Sequence, residues 1–350
     1  MSGRIPSQTR MPTVLCGFGS VAAGLSKDKR MAKYFKYRSH ADVLRDHPAF
    51  DWKAVIDPDP DARRIAREDW NVSIAVAHPD ELPNEFTPEV AVLATPPVAR
   101  EELLRSMPSV KAVVVEKPLG RTLKESHSFA KYCEEKGIVC QVNLFRRAER
   151  TYQELLDGII EEHIGIAQAG TLIYGKGILN NGIHMIDLVR MLFGEIISVQ
   201  TLGLGKNIEL SCYVDIEVVV ALTLDGGAVI TMHPVDFSHY RDVLLDVWGT
   251  RGRLEILQEG LVLRRSPLTK HRALEGVMEL AIDKPVTLTS YIGTSLYQVY
   301  DNLENAMQNS KQLLSSLENA IRSEMVVEAV KTSNRMGGSV VSLASIEKLS

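Results

Sequence analysis

The chain has 350 residues, more than the roughly 250–300 at which a single hydrophobic core stops growing, so two domains are expected. Its 45% hydrophobic and 24% charged residues are those of a globular protein, and a net charge of −4 with scattered Lys and Arg excludes a nucleic-acid footprint. No apolar run reaches the ~18 residues of a membrane span, so no membrane partner is expected, and the opening MSGRIPSQTR lacks the hydrophobic segment of a secretory signal.

In chain order, the first motif is PTVLCGFGSVAAG, from Pro12 to Gly24. An apolar run here ends in Gly17, Gly19 and Ala22 at GxGxxG/A spacing: Gly17 for a tight turn, Gly19 for approach of the backbone to a pyrophosphate, Ala22 for a helix packed closely on the strand. This makes Gly17, Phe18, Gly19, Ser20 and Val21 candidate cofactor-binding residues. The segment Ser26 to His40 is a basic insert, read as a solvated extra helix. KAVID, from Lys53 to Asp57, reads as the second strand and ends in the acid that grips a ribose diol. Asp57 follows Gly19 by 38 positions, where about 20 is usual. Its carboxylate repels a 2'-phosphate, which favours NAD(H); a cation from the insert leaves NADP(H) open.

Three more apolar runs follow, VAVLATPP (Val90 to Pro97), VKAVVVEKP (Val110 to Pro118) and GIVCQVN (Gly137 to Asn143), separated by helical stretches. Such alternation predicts parallel strands buried on both faces. Cys16, Cys133, Cys140 and Cys212 form no CxxC pair, and three of them lie in apolar or helical runs, which fits reduced core thiols in a cytoplasmic protein.

The second half reads as strands over Ile166–Gly175, Glu195–Gly203, Asp215–Leu224, Gly227–Val235, Asp242–Gly249 and Arg253–Arg265, with a hairpin signal at Asp225 to Gly227. Helical spacing of Ile321, Met325 and Ala329 predicts a helix over Ser316–Gly337. The expected fold class is α/β: an N-terminal Rossmann doubly wound parallel sheet plus a C-terminal α+β domain with an open, mostly antiparallel sheet. The expected domains are 1–143, which binds the dinucleotide, and 144–350, for substrate and oligomer contacts, with closing C-terminal helices.

GFGSVA, VLATPP, EKP (Glu116 to Pro118) and NNGIHMIDLVRMLFG (Asn180 to Gly194), in that order, resemble the glucose-fructose oxidoreductase / inositol 2-dehydrogenase (Gfo/Idh/MocA) family. The resemblance is in register from Thr13 to Gly194 and looser beyond. It implies an NAD(P)-dependent dehydrogenase that moves a hydride between the nicotinamide and a carbinol or ketone of a sugar or sugar derivative, a nucleotide sugar included. It also implies a homodimer or homotetramer formed through the C-terminal sheet. Carried onto this chain, Lys117 and His184 are the catalytic pair at the nicotinamide. A His or a Lys of lowered pKa can take a hydroxyl proton near neutrality.

Asn180 stands where many family members carry the first Asp of a DxGxHxxD motif; an amide cannot exchange a proton, so it is assigned to a substrate hydroxyl within the catalytic set. By the same resemblance, Thr95, Pro96 and Pro97 wall the cofactor and Glu116 lies by the nicotinamide ribose. Arg100 replaces a family histidine, as a solvated loop residue or a ligand contact. The substrate set is Asn143, Arg147, Tyr174, Lys176, Asn180, Asn181 and His184, with Arg146 nearby, and its cations point to an anionic substrate. Asp187, one turn after His184, either holds the imidazole's second nitrogen or faces solvent. His184 and Asp187 make only a two-ligand HxxD and no other His or Cys cluster completes a site, so no metal is expected. Two alternatives remain: a reductase of another unsaturated bond, an imine or a tetrapyrrole bridge, and a non-catalytic NAD-binding sensor.

Overall fold

The computed structural model describes residues 10–210 and 213–348; residues 1–9 of the opening tail and Cys212 lie outside the described residues. The chain divides into two compact units, residues 10–145 with 293–317, and residues 146–292 with 318–348.

The first unit is built on six strands, β1 (Met11–Cys16), β2 (Phe50–Ile56), β3 (Ile74–Val76), β4 (Val90–Leu93), β5 (Ala112–Val115) and β6 (Val139–Val142). They are parallel, in the order β3-β2-β1-β4-β5-β6. Every residue of β4 and β5 is buried, as expected for strands covered on both faces. The order reverses between β1 and β4, the switch point at whose carboxyl ends such sheets bind ligands. Four helices join the strands: α1 (His40–Asp46), α2 (Pro60–Trp70), α3 (Pro97–Ser106) and α4 (Leu123–Glu135). Ser39, Asp59 and Thr122 cap α1, α2 and α4 by accepting a main-chain N–H.

Two readings of this half need correction. No α-helix follows the glycine loop: residues 20–23 are turns, leading into a single 3₁₀ turn over Gly24–Lys27. The basic insert is a run of such turns, not an extra helix. It is tied down by its own backbone, Lys36 and Tyr37 donating their N–H groups to the Gly293 carbonyl.

The second unit begins with a short helix α5 (Arg150–Glu154) and a loosely wound helical segment kinked at Gly158. Its sheet contains β7 (Ala167–Tyr174), β8 (Ile196–Glu209), β9 (Val214–Leu224), β10 (Val229–Pro234), β11 (Leu244–Gly249), β12 (Gly252–Leu257), β13 (Val262–Lys270), β14 (Met278–Leu280) and β15 (Val286–Leu288). The helix α6 (Ile183–Phe193) lies between β7 and β8 in sequence and buries Ile183, Ile186, Val189 and Leu192. The run Arg253–Arg265, expected as one strand, is two antiparallel strands, β12 and β13, turned by Gln258–Gly260, where Glu259 and Gly260 take φ of 63° and 100°.

The chain then returns to the first unit as α7 (Ser295–Asn309), which buries Val299, Tyr300 and Leu303. The boundary at 143/144 therefore assigned residues 293–317 to the wrong half: an amphipathic helix does not reveal which sheet it covers. The second unit closes with α8 (Leu317–Arg335), β16 (Val341–Ser342) and α9 (Leu343–Glu347). Its strand order is β14-β13-β12-β11-β7-β10-β9-β8-β16, with β15 on β13, and among the described residues only β7 and β10 pair in parallel.

Candidate functional site

In the first unit the predicted cofactor residues converge on the carboxyl ends of the parallel strands. Gly17 leaves β1 with φ +82°, and a side chain there would press to 2.6 Å of the Ala94 carbonyl. A Cβ on Gly19 would meet nothing within 4 Å, so the loop is open on the side where a diphosphate approaches. Gly19, Ser20 and Val21 are exposed and Phe18 is buried. Asp57, buried at the end of β2, accepts the Phe18 N–H at 2.6 Å and the Asp59 N–H at 2.8 Å, so the acid reaches the glycine loop despite the long insert. A cation that the sequence did not place lies close by: Arg63 donates to the carbonyls of Asp57 and Pro58, both at 2.8 Å.

Pro96 and Pro97 lead from β4 into α3. Arg100 is neither solvated nor free for a ligand. It is 2% exposed, and its guanidinium donates to the Thr95 carbonyl at 2.9 and 3.1 Å and to the Pro118 carbonyl at 2.5 Å, clamping the Thr95 turn to the segment after Lys117. Glu116 and Lys117 follow β5 directly. The Glu116 carboxylate accepts from His40 Nε2 at 2.9 Å and Asn143 Nδ2 at 2.6 Å. Burial alone would raise its pKa. The His40 hydrogen bond, the Asn143 amide and the Lys117 charge more than offset this and hold it below the usual carboxylate range.

Two polar atoms here, Thr95 Oγ1 and Asn143 Oδ1, are buried with no hydrogen-bond partner among the described residues. Buried polar atoms are rarely left so. With the open Gly19 loop and the carboxylate of Asp57, these orphaned groups fit a dinucleotide lying across the strand ends. It would be held by Gly17–Val21 at the diphosphate and by Asp57 at the ribose.

In the second unit the residues Lys176 to His184 form one loop leading into α6. Lys176 takes φ +55° and Gly177 φ +88°. A Cβ on Gly177 would collide with the Asp215 carboxylate. Asp215 is fully buried, and its oxygens accept the N–H groups of Leu179 at 3.0 Å and Asn180 at 2.9 Å, so one carboxylate from the start of β9 fixes the loop. The carbonyl of Gly177 in turn accepts from the N–H groups of Asn181 and Gly182. The result leaves Lys176 exposed and Asn180 and His184 half-buried, with Asn181 buried. Asn180 Nδ2 donates to the Lys176 carbonyl at 3.0 Å.

Several substrate assignments are corrected by burial. Tyr174 is fully buried; its hydroxyl donates to the Val218 carbonyl and accepts the Val218 N–H, at 2.8 and 3.0 Å, so it ties β7 to β9 and offers nothing to a ligand. Arg147 is buried, and its Nε donates to both Asp187 oxygens, at 2.9 and 2.8 Å. Asp187 therefore neither faces solvent nor serves the imidazole; it also accepts from Ser323 at 3.0 Å. Arg146 is buried too, and burial lowers its pKa. Of the cations expected to bind an anion, only Lys176 is exposed.

Sequence reasoning missed Asp215, His40, Tyr300 and Arg63. Asp215, His40 and Tyr300 lie far in sequence from the groups they serve, so no spacing announces them; Arg63 is only six positions after Asp57, one turn into α2, where the helix brings its guanidinium back to the strand end. It also missed that the fold gathers His47, Asp301 and Glu304, whose ligand atoms lie within 4.8 Å of one another. His47 Nδ1 accepts the Ala49 N–H, which leaves the proton on Nε2, 3.2 Å from Asp301. That arrangement is a hydrogen bond between α1's end and α7.

Among the described residues no helix is long and apolar enough to cross a membrane. Residues 32–144 match the family profile described as oxidoreductase family, NAD-binding Rossmann fold, and residues 175–343 match its C-terminal alpha/beta domain. The scyllo-inositol 2-dehydrogenase (NAD(+)) of Bacillus subtilis is 26% identical over 219 residues, 56% of this chain and 61% of that protein's length. Solved structures share the fold, among them these two. One is a levoglucosan dehydrogenase in complex with NADH (TM-score 0.73, 17% identity, 96% of this chain and 99% of that one). The other is an oxidoreductase from Agrobacterium radiobacter in complex with NAD+, L-tartaric acid and magnesium (TM-score 0.71, 16% identity, 97% and 100%). With both halves matched in order and the glycine loop and strand-end acid in place, the chain belongs to the Gfo/Idh/MocA oxidoreductases and carries their NAD-binding Rossmann domain.

Proposed function

We propose that this protein is an NAD(H)-dependent dehydrogenase that moves a hydride between the nicotinamide and a ring carbinol of a neutral polyol or sugar. The observation that carries the reading is the burial of Arg146, Arg147 and Tyr174. It removes all but Lys176 of the groups that argued for a nucleotide sugar or other anion, and leaves hydrogen-bonding residues, Asn180 and His184, at the substrate end. The curated inositol dehydrogenase and the levoglucosan dehydrogenase point to the same chemical class.

Lys117 and His184 are assigned to the hydroxyl proton. As the hydride leaves the carbinol carbon, the O–H bond breaks and its proton passes to one of these bases, giving the ketone. Asn180 orients a hydroxyl, with Asn143 and Asn181 as further polar contacts. Asp57 favours NAD(H) over NADP(H), and Arg63 beside it is the residue on which a 2'-phosphate would depend. Buried, unpaired Cys16, Cys133 and Cys140 support a cytoplasmic setting. The outward face of the second sheet is assigned to self-association, which sedimentation at micromolar concentration tests.

The deciding experiment is to incubate the protein with NAD+ and a panel of inositols, free sugars, sugar acids and nucleotide sugars, following nicotinamide absorbance. Turnover of a neutral polyol is expected. Turnover confined to anionic members would overturn the substrate class, and bound NAD+ without turnover of any member would favour the sensor reading.

A further inference from the structure

The proposed catalytic groups do not account for a buried chain of hydrogen bonds in the first unit. Tyr300, on α7, brings its hydroxyl to 2.7 Å from His40 Nδ1, and His40 Nε2 lies 2.9 Å from Glu116 Oε1. His40 and Tyr300 are both fully buried. His40 is the first residue of α1, fixed there by the Ser39 cap, and its ring is tilted against the Tyr300 ring at 5.9 Å between centroids.

The chemistry of the three groups allows one neutral arrangement. A carboxylate accepts only, so Nε2 must carry the proton given to Glu116; Nδ1 is then a bare acceptor and takes the hydroxyl proton of Tyr300. Tyr300 thus sets the tautomer of His40. Burial, and then the Glu116 charge, raise the Tyr300 pKa, which keeps its hydroxyl protonated for this task. The titratable groups facing the chain are Tyr300 from α7, Glu116 and Lys117 from the end of β5, and His47 at the end of α1, whose ring lies 6.4 Å from that of Tyr300; the uncharged Asn143 donates beside them.

We propose that His40, with its tautomer fixed by Tyr300, is a positioning residue that keeps the Glu116 carboxylate ionised and in one orientation next to Lys117. The inference rests on the dehydrogenase reading for its consequence, since Lys117 is one of the two bases assigned to the hydroxyl proton, and its charge changes when it takes that proton. A fixed anion at the adjacent residue supplies constant compensation as that charge changes. Without the His40 donor the buried carboxylate keeps only the Asn143 amide and the Lys117 charge, so its proton affinity rises.

The test reads the chain with and without chemistry. In full-length protein carrying carboxyl-13C glutamate, with the Glu116 signal assigned by Glu116→Gln, the carboxyl titration is followed in wild type, His40→Ala, His40→Gln and Tyr300→Phe. His40→Ala is expected to raise the Glu116 midpoint by about one pH unit or more, the scale of a lost charged or hydrogen-bonded partner. His40→Gln, which keeps an N–H donor, should restore most of the shift, and Tyr300→Phe should give a smaller rise. With the polyol substrate, kcat should fall about tenfold or more in His40→Ala. The acid limb of its pH profile should move up with the carboxyl midpoint, while KM for NAD+ changes less than kcat.

An unmoved Glu116 midpoint in both His40→Ala and Tyr300→Phe overturns the proposal, whatever the enzyme does. Uniform loss of activity with an unshifted acid limb also overturns it. A shifted midpoint in a protein that turns over no polyol upholds the His40–Glu116 coupling and rejects the dehydrogenase reading instead. If His40→Ala does not fold, Tyr300→Phe decides, because it removes only one oxygen.

Discussion

Arg147 and Asp187 form a two-pronged ion pair inside the second unit, the guanidinium Nε lying 2.9 and 2.8 Å from the two carboxylate oxygens, with side chains 10% and 1% exposed. Arg190 approaches the same carboxylate at 3.6 Å and Ser323 donates to it at 3.0 Å. Asp187 is therefore the hub that joins the start of this unit to α6 and α8. Removing one partner strands a buried charge, so Arg147→Met is expected to cost about 3–5 kcal/mol in denaturant unfolding. The double variant Arg147→Met/Asp187→Leu should recover part of that loss, because it removes both charges. A cost under about 1 kcal/mol for Arg147→Met would return the residue to the substrate set.

The same pair shows what was legible in the sequence and what was not. Local patterns read well: the GFG turn, the alternation of apolar runs with helices, and the strand-end acid at Asp57 depend on neighbours a few residues away. HxxD also read correctly as a helical motif. Its partner did not, because Arg147 is 40 positions from Asp187 and an arginine looks the same in sequence whether it binds a ligand or a carboxylate. Asp215, which anchors the loop before His184 from 35 positions away, was invisible for the same reason. The missing helix after the glycine loop and the return of α7 to the parallel sheet are likewise decided by packing that no periodicity records.

Tyr174 separates structural from substrate roles with a single atom. Its hydroxyl serves the Val218 carbonyl and N–H at once, and burial raises its pKa strongly, so it remains a neutral donor and acceptor between strands. Tyr174→Phe leaves two buried main-chain groups unsatisfied and is expected to lose about 1–3 kcal/mol of stability. KM for the polyol should not change. A threefold rise in KM at unchanged stability would return Tyr174 to the substrate set.

Arg100 acts on the cofactor side through the backbone. It donates to the Thr95 carbonyl and to the Pro118 carbonyl, so the segment proposed to wall the cofactor and the segment carrying Lys117 share one clamp. Arg100→Met should weaken NAD+ binding in calorimetry about tenfold, the scale of a small misplacement at a binding site. Arg100→Lys should fall between wild type and Met, since an ammonium cannot span both carbonyls as a planar fork does. Unaltered affinity in Arg100→Met would show that the two segments hold their positions without it.

Acid stability follows from two glutamates shifted in opposite directions. Glu116 sits below its ordinary value of 4.5 in the folded state: burial opposes ionisation, but His40, Asn143 and Lys117 outweigh it. Its stabilising contribution is full above the unfolded value and is lost as pH falls through the depressed folded value. Glu149, fully buried and accepting the N–H groups of Tyr152 and Tyr291, is raised above 4.5, chiefly by burial. Protonation of that group favours the folded state, so its contribution rises as pH falls through the elevated folded value. Melting temperature measured from pH 7 downward should therefore hold or rise before it drops below about pH 4.5. Glu149→Gln should abolish the early rise and Glu116→Gln should flatten the later fall, each read as a change of slope at whatever absolute stability the variant has. Parallel curves for wild type and both variants would mean that neither carboxyl changes its proton affinity on folding.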